Sequence, residues 1–139
     1  MTDQLNLRII TPERELLHLQ TPWVTVPGTE GELGILPHHI PLVTTLDSGI
    51  LKCERDGKEL WVAVHYGYAQ ITQEGVIVLA DMAETADDLD VARAKNAEQK
   101  ARAALRTLLE EQQLEEYRMK KYESKLKRAM VRQTLLQHN

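Results

Sequence analysis

The stretch GVIVLADMAETADDLDVARA, Gly75 to Ala94, contains the change of pattern on which the fold turns. It opens as a strand, apolar and β-branched, behind the last glycine of the chain. It closes as a helix, with an acidic cluster suited to the positive end of a helix dipole and then alanines. All seven glycines lie between Gly28 and Gly75, and all five prolines between Pro12 and Pro41. Both residue types punctuate strands and turns and disfavour helix interiors, so the architecture switches near residues 83–88. Two parts are expected, 1–85 built of strands and 86–139 built of helices.

Upstream of the switch, LNLRII alternates apolar and polar side chains, which gives one buried and one exposed face. WVTVPG, GELGILP, GILKCE and ELWVAVHYGYAQI follow at short, regular spacing. Asp56-Gly57 between two such runs marks a tight hairpin, because both residues accept positive backbone angles. TQEG before Val76 is a weaker turn signal. Eight or more short strands with no helix between them predict an antiparallel β-sandwich or flattened barrel rather than a parallel βαβ fold.

Downstream, Asp87 or Asp88 is placed to cap a helix. Ala94, Ala97, Ala101, Ala104 and Leu108 recur at spacings of three and four. A second stripe runs through Leu114, Tyr117, Tyr122, Leu126, Ala129, Met130 and Gln133. Between them EEQQ is polar but has no helix breaker. Two arrangements fit: an antiparallel two-helix hairpin bending near 110–114, or one unbroken helix of about 68 Å. An alanine seam buries little apolar surface, at about 0.8 kcal/mol per CH₂-sized group, so the hairpin contacts are close but weak. With a helix-compatible elbow, such a hairpin is suited to switching.

The composition narrows the function. With no Phe and only six aromatic residues, the core of this 139-residue chain has to be mostly aliphatic. The single Cys53 excludes an intramolecular disulfide and a cysteine metal cluster. No apolar run is long enough to span a bilayer, and no signal or transit peptide is expected. The net charge of −4 hides an asymmetry: residues 1–85 hold 5 basic and 12 acidic side chains, residues 117–139 hold 7 basic and 1 acidic. A cationic terminal segment fits an acidic partner, and the aromatic or Gly-rich pattern of nucleic-acid binding is missing beside it.

Catalytic patterns are equally scarce. There is no P-loop, and neither Ser48 nor Ser124 lies in G-x-S-x-G. His38 and His39 are adjacent, which on an extended segment points them apart and suits a partner surface better than a shared metal. The chain reads as no enzyme by itself, with no cofactor required and no metal site.

PGTEGELGILPHHIPLVTTLDSGIL (Pro27–Leu51), VHYGYAQITQEGVIVLADMAE (Val64–Glu84) and DLDVARA (Asp88–Ala94) occur here in the order in which they occur in the epsilon-subunit family of F-type ATP synthases, which this chain resembles over essentially its whole length. The resemblance implies an N-terminal β-sandwich on the central stalk, contacting the gamma subunit and the ring of c subunits. Glu30, Glu32, His38 and His39 then belong to the loop facing the ring. It implies a regulatory C-terminal hairpin that extends toward the catalytic α/β subunits and blocks rotation in the hydrolysis direction. Arg118, Lys120, Lys121, Lys125, Lys127, Arg128 and Arg132 form the basic helix that meets an acidic surface there. The implied setting is peripheral, at the cytoplasmic face of a bacterial membrane, without membrane insertion.

LDVARA also fits the family's [IL]-D-x-x-R-A pattern, which in some bacterial members binds ATP and stabilises the folded hairpin. Carried over, the ATP-binding positions are Glu84, Leu89, Asp90, Arg93, Ala94, Lys100, Arg128 and Arg132. Lys100 stands where an ATP-binding relative has arginine. Asp90 and Arg93, three apart on one helix, also fit a plain ion pair. An ATP-sensing hairpin or a generic basic-tailed adaptor without a rotor role are the alternative readings.

Overall fold

The computed structural model describes residues 3–89, 91–110 and 116–138, with helical side chains described over 93–107 and 119–138. The chain divides into two compact units, Met1–Thr85 and Ala86–Asn139.

Eight strands build the first unit: β1 (Leu5–Ile10), β2 (Glu15–Thr21), β3 (Val24–Gly28), β4 (Gly31–Ile35), β5 (Leu42–Leu46), β6 (Gly49–Arg55), β7 (Lys58–Ile71) and β8 (Gly75–Glu84). They form a β-sandwich wound in the order β2-β1-β8-β7-β5-β3-β4, with β6 pairing β3 and β7. The 14-residue β7 links the layers. Its first half pairs with β6, from Lys58 opposite Arg55 to Val64 opposite Gly49. Its second half pairs with β5, from Gly67 opposite Leu46 to Ile71 opposite Leu42. The exchange falls at Tyr66 and Gly67, both with positive φ (62° and 133°). A Cβ on Gly67 would sit 2.0 Å from the Leu79 carbonyl oxygen of β8, so only glycine allows this crossing.

Among the described residues every ladder is antiparallel but one. β1 runs parallel to β8, from Asn6 opposite Gly75 to Ile10 opposite Leu79. That pairing joins the first strand to the last and leaves no trace in local periodicity. The β6–β7 hairpin turns at Asp56 (φ 54°) and Gly57 (φ 76°), the expected tight turn. TQEG also turns, with Thr72 N–H donating to the Gly75 carbonyl at 2.9 Å. Two strands, β2 and β5, lie outside the apolar runs singled out in the sequence.

The core is aliphatic: Leu7, Ile9, Val24, Val26, Leu51, Cys53, Val62, Val64, Val76 and Val78 are fully buried. Trp23 and Trp61 stay half-buried at its margin.

In the second unit a 3-10 turn (Ala86–Asp88) precedes α1 (Val91–Glu110) and α2 (Glu116–His138). The helices pack on each other as an antiparallel hairpin, which settles the choice between hairpin and unbroken helix. The expected bend at 110–114 falls largely among residues outside those described, as do the side chains of Leu108, Leu114 and Tyr117. Asp87 and Asp88, expected to cap a helix, lie in the 3-10 turn ahead of α1, closed by Leu89 N–H on the Ala86 carbonyl at 3.2 Å. Ala94, Ala101 and Ala129 are buried as the alanine seam requires. Ala97 and Met130 are exposed instead. On α1 the inward line follows 94-98-101-105, carrying half-buried Glu98, so Ala97 is turned about 60° off its axis.

A cationic cleft in the helical unit

Ala97, Lys100 and Ala101 on α1 face Tyr122, Lys125, Arg128 and Arg132 on α2 across an open cleft of about 270 Å³. Spacings of three and four put each set on one helix face. The alanines let the two backbones approach and leave a floor with no side chain above Cβ. That is why Ala97 is exposed: it lies beneath the opening. Among the described residues, four cations and no carboxylate line the cleft. Lys125 Nζ also lies 5.7 Å from the Tyr122 ring centroid, within cation–π range. Guanidinium forks and ammonium groups around one concavity suit phosphate oxygens, by bidentate hydrogen bonding and by charge.

Of the positions expected to bind ATP, the structure brings Lys100, Arg128 and Arg132 together here. Ala94 is buried in the seam. Arg93, exposed, and Leu89 do not line the cleft. Asp90 lies outside the described residues. Glu84 ends β8 in the first unit, where its Oε1 accepts a hydrogen bond from His65 Nε2 at 2.9 Å. Sequence reasoning did not place Tyr122 or Lys125 in this site. Their spacing to Arg128 and Arg132 is the available signal, but the sequence reading puts Tyr122 in the apolar stripe of the second helix and Lys125 in the basic helix that meets an acidic surface.

Lys120, Lys121, Lys125 and Lys127 are exposed and Arg128 and Arg132 half-buried, while the Arg118 side chain lies outside those described.

The loop expected at the ring divides. Glu30 and Glu32 line a second cleft with Gly28–Leu33 and Leu42–Thr45. His38 and His39 lie away from it. His38 is in the left-handed region (φ 65°), with Nε2 3.5 Å from Asp3. His39 Nδ1 lies 2.7 Å from the Ile40 carbonyl. No group of three metal-binding side chains is gathered among the described residues. Around the histidines Leu36, Ile40 and Val43 are 65%, 79% and 64% exposed, an apolar rim that alternation did not reveal because the prolines interrupt it.

One buried constellation was invisible in the sequence. Ser48 Oγ lies 2.7 Å from His65 Nδ1, and Glu84 holds the other ring nitrogen. The three residues come from different strands or their junctions. The serine is buried and its N–H already donates to Asp47 Oδ1 at 2.8 Å, so neither an open nucleophile nor a free oxyanion donor is present at it. This is a packing network.

The family model for the β-sandwich domain of the ATP synthase delta/epsilon chain matches residues 4–86. The ATP synthase epsilon chain of Carboxydothermus hydrogenoformans is 42% identical over 105 residues, 76% of this chain and 78% of its own. That of Trichlorobacter lovleyi is 36% identical over 132 residues, 95% and 93% of the two chains. The chain belongs to the ATP synthase epsilon family. A chain from the cryo-EM structure of the Euglena gracilis mitochondrial ATP synthase OSCP/F1/c-ring superposes with a TM-score of 0.79 at 24% identity, covering 96% of this chain and 81% of that one. That likeness extends the shared fold across both units. As an epsilon chain the protein is one component of a multi-subunit ATP synthase. No described helix is long and apolar enough to cross a membrane.

Proposed function

We propose that this epsilon chain is a non-catalytic rotor subunit whose helical hairpin is an ATP-gated brake on hydrolysis. The β unit seats on the central stalk against the gamma subunit and the c-ring, with Glu30, Glu32, His38, His39 and the exposed apolar rim at the ring side. The whole assembly lies peripherally at the cytoplasmic face of a bacterial membrane. When the helices separate and extend, the cations of α2 meet acidic surface on the catalytic α/β subunits, which aids register and association rate.

The cleft carries this reading: Lys100 comes from α1, and Lys125, Arg128 and Arg132 from α2. A polyanion held there bridges the helices and exists as a ligand only of the paired state. By linkage it stabilises that state by about 2.7 kcal/mol at a hundred times its dissociation constant. Against weak alanine packing, this is enough to move a two-state equilibrium.

The test is a calorimetric titration of the full chain with ATP, beside Arg128→Ala and Arg132→Ala. Saturable binding that weakens at least tenfold in either variant supports the gate; no binding at millimolar ATP refutes it. A chain cut after Thr85 separates the brake from the gate. In the assembled enzyme it retains assembly and releases hydrolysis. Unchanged hydrolysis after the cut would show that the helices are no brake.

A further inference from the structure

We infer that Glu98 sets the balance of the hairpin: a carboxylate in the seam that keeps the paired helices weak enough to part. This rests on the reading that the helices separate and extend. Glu98 falls on the inward line of α1 with Ala94, Ala101 and Leu105. Its side chain is only 19% exposed, so a charged group is held largely out of water in the paired state. Its Oε1 accepts a hydrogen bond from Arg102 Nε at 2.9 Å, one turn on along the same helix. Arg102 itself is 49% exposed. An i,i+4 pair of this kind forms as well on a lone helix as on a paired one, so it gives pairing no advantage. The desolvation of the carboxylate, by contrast, is suffered when the helices meet. The seam has little to set against that cost: Ala94 and Ala101 are buried, and alanine brings one carbon beyond the backbone. An apolar side chain at 98 would complete the line 94-98-101-105 and close the hairpin more firmly. Glutamate lowers the stability of the paired state and leaves each helix intact, because its own helix propensity is high. A two-state element requires that combination.

The experiment measures amide exchange on the full chain for the wild type, Glu98→Met, Glu98→Gln and Arg102→Ala. Methionine keeps the unbranched length and helix propensity of glutamate without the charge, and glutamine keeps its polar shape. Glu98→Met is expected to slow exchange about tenfold across both α1 and α2, and Glu98→Gln about threefold, with the β unit unchanged. Arg102→Ala strips the buried carboxylate of its partner. It should speed exchange in both helices, although alanine is the better helix former. Exchange in the Glu98 variants at or above the wild-type rate, slowing confined to α1, or no acceleration in Arg102→Ala overturns the inference. In the assembled enzyme Glu98→Met should relieve the restraint on hydrolysis. Slower exchange in both helices with an unchanged restraint overturns the brake and leaves the role of Glu98 in pairing standing.

Discussion

His65 Nε2 lies 2.9 Å from Glu84 Oε1, and so ties the middle of β7 to the last residue of β8. The other ring nitrogen is bound to Ser48, the residue just before β6, and the histidine is 1% exposed. Serine can donate or accept, so the network is satisfied from both sides of the ring. His65→Leu would leave a buried hydroxyl and a carboxylate without this partner. The expected loss is about 2 kcal/mol of stability in the β unit. Urea denaturation followed by Trp23 and Trp61, both in that unit, reads it; a shift below about 0.5 kcal/mol would mean that the network is not a stabilising one.

Gly67 is the position where β7 changes partner, and its backbone leaves no room for a side chain. Gly67→Ala should destabilise the unit by about 3 kcal/mol or more, through left-handed strain and collision with the Leu79 carbonyl. Gly34→Ala is the contrast: nothing lies within 4 Å of its added Cβ, and a stability change within about 0.5 kcal/mol is expected. Equal effects at the two positions, measured by thermal unfolding, would contradict the crossing described for β7.

Ala101 is 5% exposed at the floor between the helices. Ala101→Leu overpacks that contact, at a cost of about 1–3 kcal/mol. Amide exchange across α1 and α2 should accelerate while that of the β unit does not change. On the proposed brake, the same variant should restrain hydrolysis in the assembled enzyme more strongly, because it weakens the paired state against the extended one. Relief of the restraint would reverse the assignment of the two states.

Burial pushes the Cys53 thiol from its ordinary 9.0 up to about 11. A raised pKa in the folded state means that the folded protein holds this proton more tightly. Its contribution to stability is therefore whole below pH 9 and is lost as the pH rises through 11. The loss is about 2–3 kcal/mol when complete. Cys53→Ala removes this component, so stability between pH 9 and 11 should fall less steeply than in the wild type. Parallel profiles would place the thiol in a more solvated setting than the core of Leu51 and Val62.

Local chemistry determined the division of this protein. Glycine and proline confined to one part, period-two alternation before Gly75 and three-four spacing after Asp90 specify strands and then helices without reference to distant residues. The absence of Phe already implied the aliphatic core, and Asp56-Gly57 its hairpin. Lys100, Arg128 and Arg132 were legible only through resemblance to the epsilon family, because 28 and 32 positions separate the two helices' contributions.

Tertiary structure alone decided the rest. The parallel β1–β8 pair, the exchange of partners at Gly67 and the Ser48–His65–Glu84 network all depend on register between distant segments. Periodicity assigns a residue to a face but does not say which element covers it. For the same reason Ala97 looked buried and Tyr122 merely apolar, until the pairing of α1 and α2 set one beneath an opening and the other at its edge.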